Sequence, residues 1–161
     1  YPALPVLHIA DSTAQAIRER GLSRVGLLGT EPTMREDYLK AQLAKHGVET
    51  VVPDSDDDLR DIFNYIMTEL GCGKFLEPTR AFFVEQVRKL VARGAEGVIM
   101  GCTEIELLLR QEDAPDVPLF ASAELHIKAA ARVAAGLLRP EDLMPEVDRA
   151  AASAPARPPA A

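Results

Sequence analysis

The chain has 161 residues, 47% of them hydrophobic, and carries 25 Asp and Glu against 18 Lys and Arg for a net charge of −7, with a pI of about 5.0. An acidic surface of this kind repels phosphate backbones and argues against a nucleic-acid partner; no apolar run approaches the roughly 20 residues of a membrane span, and Tyr1 to Ala10 shows neither the basic start nor the long apolar stretch of a signal peptide. The length suits one ordinary domain.

A helix is predicted from about Ser12 to Arg20, ended by Gly21. Arg24-Val25-Gly26-Leu27-Leu28-Gly29 reads as a buried strand, followed by a helix from about Met34 to His46 that Gly47 ends. Glu49 to Pro53 is a second strand. Leu59, Ile62, Phe63, Ile66 and Leu70 then form one apolar helical stripe, and Phe83, Val87, Leu90 and Val91 another. Gly97 to Gly101 and, briefly, Val117 to Phe120 complete the strands, and Leu125, Ala129, Val133 and Leu137 mark a last helix. Continuous rather than alternating apolar strands are what a parallel sheet covered on both faces demands. Strands alternating with helices imply right-handed βαβ units, hence an α/β fold with a parallel sheet flanked by helices. Ligands in such sheets bind at the carboxyl ends of strands, so a site is expected in the loops after Gly29, Pro53 or Gly101. Ala150 to Ala161 contains only Ala, Ser, Pro and Arg and is read as a disordered tail.

The stretch richest in chemistry is Gly97-Val98-Ile99-Met100-Gly101-Cys102-Thr103-Glu104. It places a cysteine where a strand passes into a helix. Unpaired N–H groups and a positive partial charge at a helix start favour a thiolate, so Cys102 is expected to have a depressed pKa. The competing reading is an inert buried cysteine, with Thr103 and Glu106 serving only as a capping box. Gly29-Thr30-Glu31-Pro32-Thr33-Met34 is the second stretch. Thr30 and Thr33 offer hydroxyls to a carboxylate, or Thr33 merely caps a helix with Glu36. It is not a Walker loop, which needs Lys-Ser/Thr after its glycines. Cys72, between Gly71 and Gly73, reads as a spare thiol at a helix end, and His126 as structural. The acids from Asp54 to Asp58 suit a solvated helix start capped by Ser55 better than a cation site. His8, His46 and His126 are dispersed, so no metal spacing is seen. Two cysteines without a disulfide framework fit a cytoplasmic location.

Together these segments resemble the aspartate/glutamate racemase family of cofactor-independent amino-acid racemases. The resemblance runs from Pro5-Val6-Leu7-His8-Ile9-Ala10-Asp11, through Val25 to Thr30 with Thr33-Met34, to Gly94 through Glu104, and on to Val117-Pro118-Leu119-Phe120 and Glu124-Leu125-His126. It implies isomerase chemistry on an amino acid of the aspartate or glutamate type, in which two cysteines on opposite faces of Cα exchange a proton without pyridoxal phosphate or metal. Inversion needs an acid on one face and a base on the other, because a single group returns the proton to the face it left. Cys102 matches the second cysteine, Thr103 a neighbouring substrate contact, and Thr30 and Thr33 the loop that holds substrate carboxylates.

Two departures from the family stand out. Its first cysteine lies in a Cys-Asn-Thr segment that this chain lacks and that Cys72 does not replace, and Ala121 stands where the family usually has Asp. The chain opens on Tyr1, and the expectation is that residues precede it. Residues 1–117 are read as the second α/β domain of a two-domain pseudo-symmetric fold, 118–138 as a strand and helix that return to the first domain, and 139–161 as a largely disordered extension. The segment from Val117 to Leu138 is then expected to pack poorly here, leaving Leu125, Val133 and Leu137 as an exposed patch that favours a homo-oligomer. The expected partner is a small-molecule amino-acid substrate, with no cofactor. The alternatives are a non-catalytic dicarboxylate-binding or partner-dependent module, and a one-cysteine, decarboxylase-like relative.

Overall fold

The structure, a computed structural model, describes residues 6–152. Its elements in chain order are α1 (Ile9–Glu19), β1 (Arg24–Leu28), α2 (Glu31–Arg35), α3 (Asp37–Lys45), β2 (Glu49–Val51), α4 (Asp56–Thr68), α5 (Glu77–Ala92), β3 (Val98–Met100), α6 (Thr103–Leu108), β4 (Leu119–Ala121), α7 (Ser122–Ala134), α8 (Pro140–Leu143) and α9 (Glu146–Ala152). The four strands form one parallel sheet in the order β2-β1-β3-β4.

The β1 sequence shows why the strands read as unbroken apolar runs. Side chains alternate between faces of a strand, and here both faces are covered. Val25 and Leu27 join a cluster with Ala10, Ala14 and Ile17 of α1 and Leu39 and Leu43 of α3. Leu28 points the other way, into a cluster with Ile62 and Ile66 of α4 and Phe83, Val87 and Leu90 of α5. In β3, Ile99 enters the first cluster while Val98 and Met100 enter the second. Helix ends follow local chemistry: Gly21 and Gly47 adopt φ of 73° and 75° just past α1 and α3. The Ser55 hydroxyl accepts from Asp58 N–H at 3.4 Å at the start of α4.

Three expectations are corrected. The helix expected from Met34 to His46 is two helices. Pro32 helps to start α2 a turn earlier, and Glu36, with ψ of 158°, interrupts the run before α3. Thr33 therefore lies inside α2 and forms no capping box with Glu36. Secondly, the segment from Val117 to Leu138 does not pack poorly. The β4 strand pairs with β3 in register Val98↔Leu119, Ile99↔Phe120 and Met100↔Ala121. Phe120 and Ala129 are buried, Leu125 packs on the α1 cluster, and the Arg20 guanidinium sits 5.6 Å from the Phe120 ring centroid. Leu125 and Val133 are half-buried, whereas Ile127 and Leu137 are exposed. Thirdly, the extension begins with structure. Leu143 in α8 is buried, and Asp148 in α9 pairs with Lys45 at 3.0 Å. The rest of the expected disordered tail, residues 153–161, lies outside the described residues, as does Pro5 at the start of the family resemblance.

Candidate active site

The chain leaves β1 toward β2 on one side and later passes from β3 to β4 on the other, so the strand order reverses between β1 and β3. A reversal of this kind opens a crevice at the carboxyl ends of the two strands. The register Leu28↔Met100 sets Gly29 beside Gly101, and Gly101 N–H donates to Leu28 C=O at 2.6 Å. Neither position has room for a side chain. A Cβ on Gly29 would lie 2.9 Å from Thr33 Cγ2, and one on Gly101 would lie 2.9 Å from Leu27 Cδ1 and 3.1 Å from Leu28 O. The loop after β1 and the loop after β3 are therefore in direct contact, and the structure brings the Thr30–Thr33 segment and the Cys102 segment to one edge of the sheet.

On the β1 side, Thr30 precedes α2 as its N-cap residue and Thr33 is buried within it. Their Oγ1 atoms lie 3.0 Å apart, and the Tyr38 hydroxyl donates to Thr33 Oγ1 at 3.2 Å. On the β3 side, Cys102 is the half-buried N-cap residue of α6, with extended backbone at φ −143° and ψ 131°. Its Sγ donates to Glu104 Oε2 at 2.9 Å, and the exposed Thr103 hydroxyl donates to the same oxygen at 2.7 Å.

This geometry corrects the expected depression of the Cys102 pKa. Burial raises it first, the Glu104 carboxylate raises it further, and together they push it up to about 11. Backbone N–H groups of Glu104 and Ile105 act the other way but are outweighed. The thiol proton and the Thr103 hydroxyl hold Glu104 below the usual range for a glutamate, so the cluster at neutral pH is a thiol against a carboxylate. The expected Thr103–Glu106 capping box does not form. Glu106 Oε1 instead accepts from Ala123 N–H at 2.7 Å and Ser122 Oγ at 3.3 Å, across on α7. Ala121 is the N-cap residue of α7 and offers no side-chain cap, so Glu106 supplies the acceptor that a capping Asp would have provided.

The remaining candidates lie elsewhere. Cys72 is exposed on the turn between α4 and α5, with Sγ 3.8 Å from Met67 O. His8 caps α1, accepting from Ala10 N–H at 3.1 Å, and His46 Nε2 is 2.8 Å from Asp11 Oδ1 in a buried pair. The Nδ1 of His126 is buried without a hydrogen-bond partner among the described residues. Among the described residues no group of three or more His, Cys, Asp and Glu is gathered as metal ligands, and no helix is long and apolar enough to cross a membrane. Sequence reasoning missed Glu104 and Tyr38 as site residues. Glu104 was in view, two residues past Cys102, whereas only the break before α3 aims Tyr38 at Thr33.

Known proteins resemble this chain in sequence and in fold. The Asp/Glu/Hydantoin racemase family profile matches residues 2–130. An uncharacterised protein from Pectobacterium carotovorum is 31% identical over 111 residues, 66% of this chain and 69% of its own length. Among solved structures, a Yersinia pestis protein provisionally assigned as an Asp/Glu racemase is 42% identical at a TM-score of 0.76, over 82% of this chain and 57% of that one. An aspartate racemase homologue from Pyrococcus horikoshii is 35% identical, also at a TM-score of 0.76, over 83% of this chain and 57% of that one. An aspartate racemase from Picrophilus torridus, 23% identical over 81% of this chain and 52% of that one, shares the fold at a TM-score of 0.58. The chain thus spans a little over half the length of the solved structures it matches. With a profile match over most of its length, and with the sheet and flanking helices of these relatives, the chain belongs to the Asp/Glu/Hydantoin racemase family.

Proposed function

We propose that this chain forms one wall of the cleft of a cofactor-independent amino-acid racemase, and that Cys102 is one of its two proton-transfer groups. The observation that carries the reading is the position of Cys102, at the reversal point of the sheet and beside the threonine loop of β1. In one direction a base on the far face of the substrate removes the Cα proton. The carbanion then takes the proton of Cys102 Sγ, so that an S–H bond breaks, a C–H bond forms and a thiolate remains. In the other direction that thiolate removes the proton. Each step moves one proton between carbon and a protein group, so atoms and charge balance without a further reactant.

A raised pKa keeps the resting Cys102 protonated, the state that delivers a proton to a carbanion. In the other direction its thiolate is a strong base but a minor species at neutral pH, so substrate or the second half of the cleft must favour it there. Thr30, Thr33 and Thr103 are the proposed contacts to the substrate carboxylate. The second base is expected from outside these residues, since Cys72 sits on the α4–α5 turn. An acidic chain with two free thiols also suits a cytoplasmic enzyme working on a small molecule, and the exposed Ile127 and Leu137 suit a homo-oligomer.

The protonated state of Cys102 is also what a one-cysteine relative that only protonates a carbanion would need, and one assay separates the two. L-aspartate and L-glutamate in deuterium oxide are followed by chiral chromatography and mass spectrometry. A longer protein that restores the remaining half should invert at least one amino acid, tested with L-leucine beside these two, with deuterium uptake, and Cys102→Ala should abolish this. The 161-residue chain alone should give no useful inversion. Inversion by the chain alone that survives Cys102→Ala would overturn the reading.

A further inference from the structure

A cavity of about 120 Å³ lies below the same edge of the sheet, between α1, α3 and β3. Its apolar wall is Ile9, Ala10, Leu39, Leu43 and Ile99, and it is bounded by Thr33 and Gly101 of the candidate site. No Lys, Arg, His, Asp or Glu lines it. Four hydroxyls do, and each is already engaged within the protein. Thr13 Oγ1 donates to Ile9 O at 2.9 Å, and Ser122 Oγ donates to Met100 O at 2.8 Å. Tyr38 OH donates to Thr33 Oγ1, which is in turn 3.0 Å from Thr30 Oγ1. Tyr38, Thr33 and Thr30 thus form a chain of hydroxyls in which either threonine can donate to the other, leaving one proton over between them.

From this arrangement we propose that the cavity is a side-chain subsite of the cleft, and that it takes an uncharged, branched aliphatic group. The inference rests on the racemase reading and narrows its substrate to amino acids of the leucine and valine class. Placing a carboxylate in a pocket with no cation and at most one spare hydroxyl leaves a buried charge poorly compensated. An aliphatic group pays no such penalty and removes apolar surface from water. Volume supports the same class, because a dry cavity of about 150 Å³ in another protein takes up benzene, so about 120 Å³ suits a branched group of about four carbons. Thr30, outside the cavity, is then placed to meet the α-carboxylate.

The test is methyl and amide NMR on the 161-residue chain, titrated separately with isobutanol, L-leucine and L-aspartate to saturation or to the solubility limit. Isobutanol should shift the methyls of Leu39, Leu43 and Ile99. L-leucine should shift the same methyls together with the amides of Thr33 and Cys102, at concentrations at least about tenfold below those needed for L-aspartate. Ala10→Leu, which fills the cavity, should weaken the leucine response about fivefold or more. Amide shifts without methyl shifts, or aspartate acting on the methyls as well as leucine does, would overturn the subsite and leave the racemase reading standing. Methyl shifts with isobutanol but no response to L-leucine would overturn the subsite too, and the racemase reading would still be judged by the inversion assay on the longer protein.

Discussion

Glu104→Gln should make Cys102 more acidic, and the size of the effect follows from two causes acting on one sulfur. The Cys102 pKa stands at about 11 against an ordinary 9.0, a rise of about 2 units, with burial the larger cause and the carboxylate 2.9 Å from Sγ the next. Glutamine keeps the shape and an acceptor but removes the charge, so it should return less than half of that rise, about one unit at most. The assay is alkylation of Cys102 by iodoacetamide as a function of pH, in a Cys72→Ser background that leaves one thiol. The midpoint of the rate profile should move down by about one unit. At fixed pH the rate should climb less than the thiolate fraction, about threefold rather than tenfold, because a less basic thiolate is also a poorer nucleophile. The same shift has a consequence for stability. The folded chain keeps the Cys102 proton to higher pH than the unfolded chain does, so the contribution is complete below pH 9 and is lost as pH rises toward 11. A midpoint that stays put, or moves upward, in Glu104→Gln would refute the role given to the carboxylate.

Three further outcomes are expected. Gly101→Ala should cost roughly 1–3 kcal/mol in denaturant unfolding, because its Cβ would meet Leu27 Cδ1 at 2.9 Å and the Leu28 carbonyl at 3.1 Å. Ser55→Ala should cost about 1 kcal/mol by the same measure, through the lost cap on Asp58 N–H. Lys89 and Gln86 hold the Asp58 carboxyl below the usual aspartate range, so its contribution is present above that range and fades as pH falls through it; Asp58→Asn should flatten the acid limb of the stability profile.

Features set by near neighbours in sequence were legible before any coordinates. The runs around Val25 and Val98 announced strands covered on both faces, and the glycines at 21 and 47 announced helix ends. Ser55 at the start of α4 was equally plain. What escaped depends on where one side chain turns when two partners compete. Glu106 was paired with Thr103 by spacing, yet α7 arrives with unpaired N–H groups of its own and takes it. Cys102 and Glu104 are two residues apart, a spacing that does not face on a helix. They meet because Cys102 stands outside α6 with extended backbone, and that contact adds to the burial that raises its pKa. Resemblance led to one expectation that the structure corrects, poor packing of the segment from Val117 to Leu138, since β4 pairs with β3 and Leu125 packs on the α1 cluster.

The seating of α7 against α1 has a consequence for how this polypeptide is made. A ribosome releases Ile9–Glu19 long before Ser122–Ala134, so the first helix emerges without the last one that covers it. The β4 edge, with Phe120 reaching into the cluster around Ala14 and Ile17, arrives equally late. The part of this helix that α7 covers therefore stays uncovered until that segment is made, although β1 and α3 can pack its other apolar residues earlier; uncovered apolar surface is what draws nascent chains to chaperones or to one another. Slowing translation after residue 121 should leave a protease-sensitive intermediate, and releasing the α7 segment should close it.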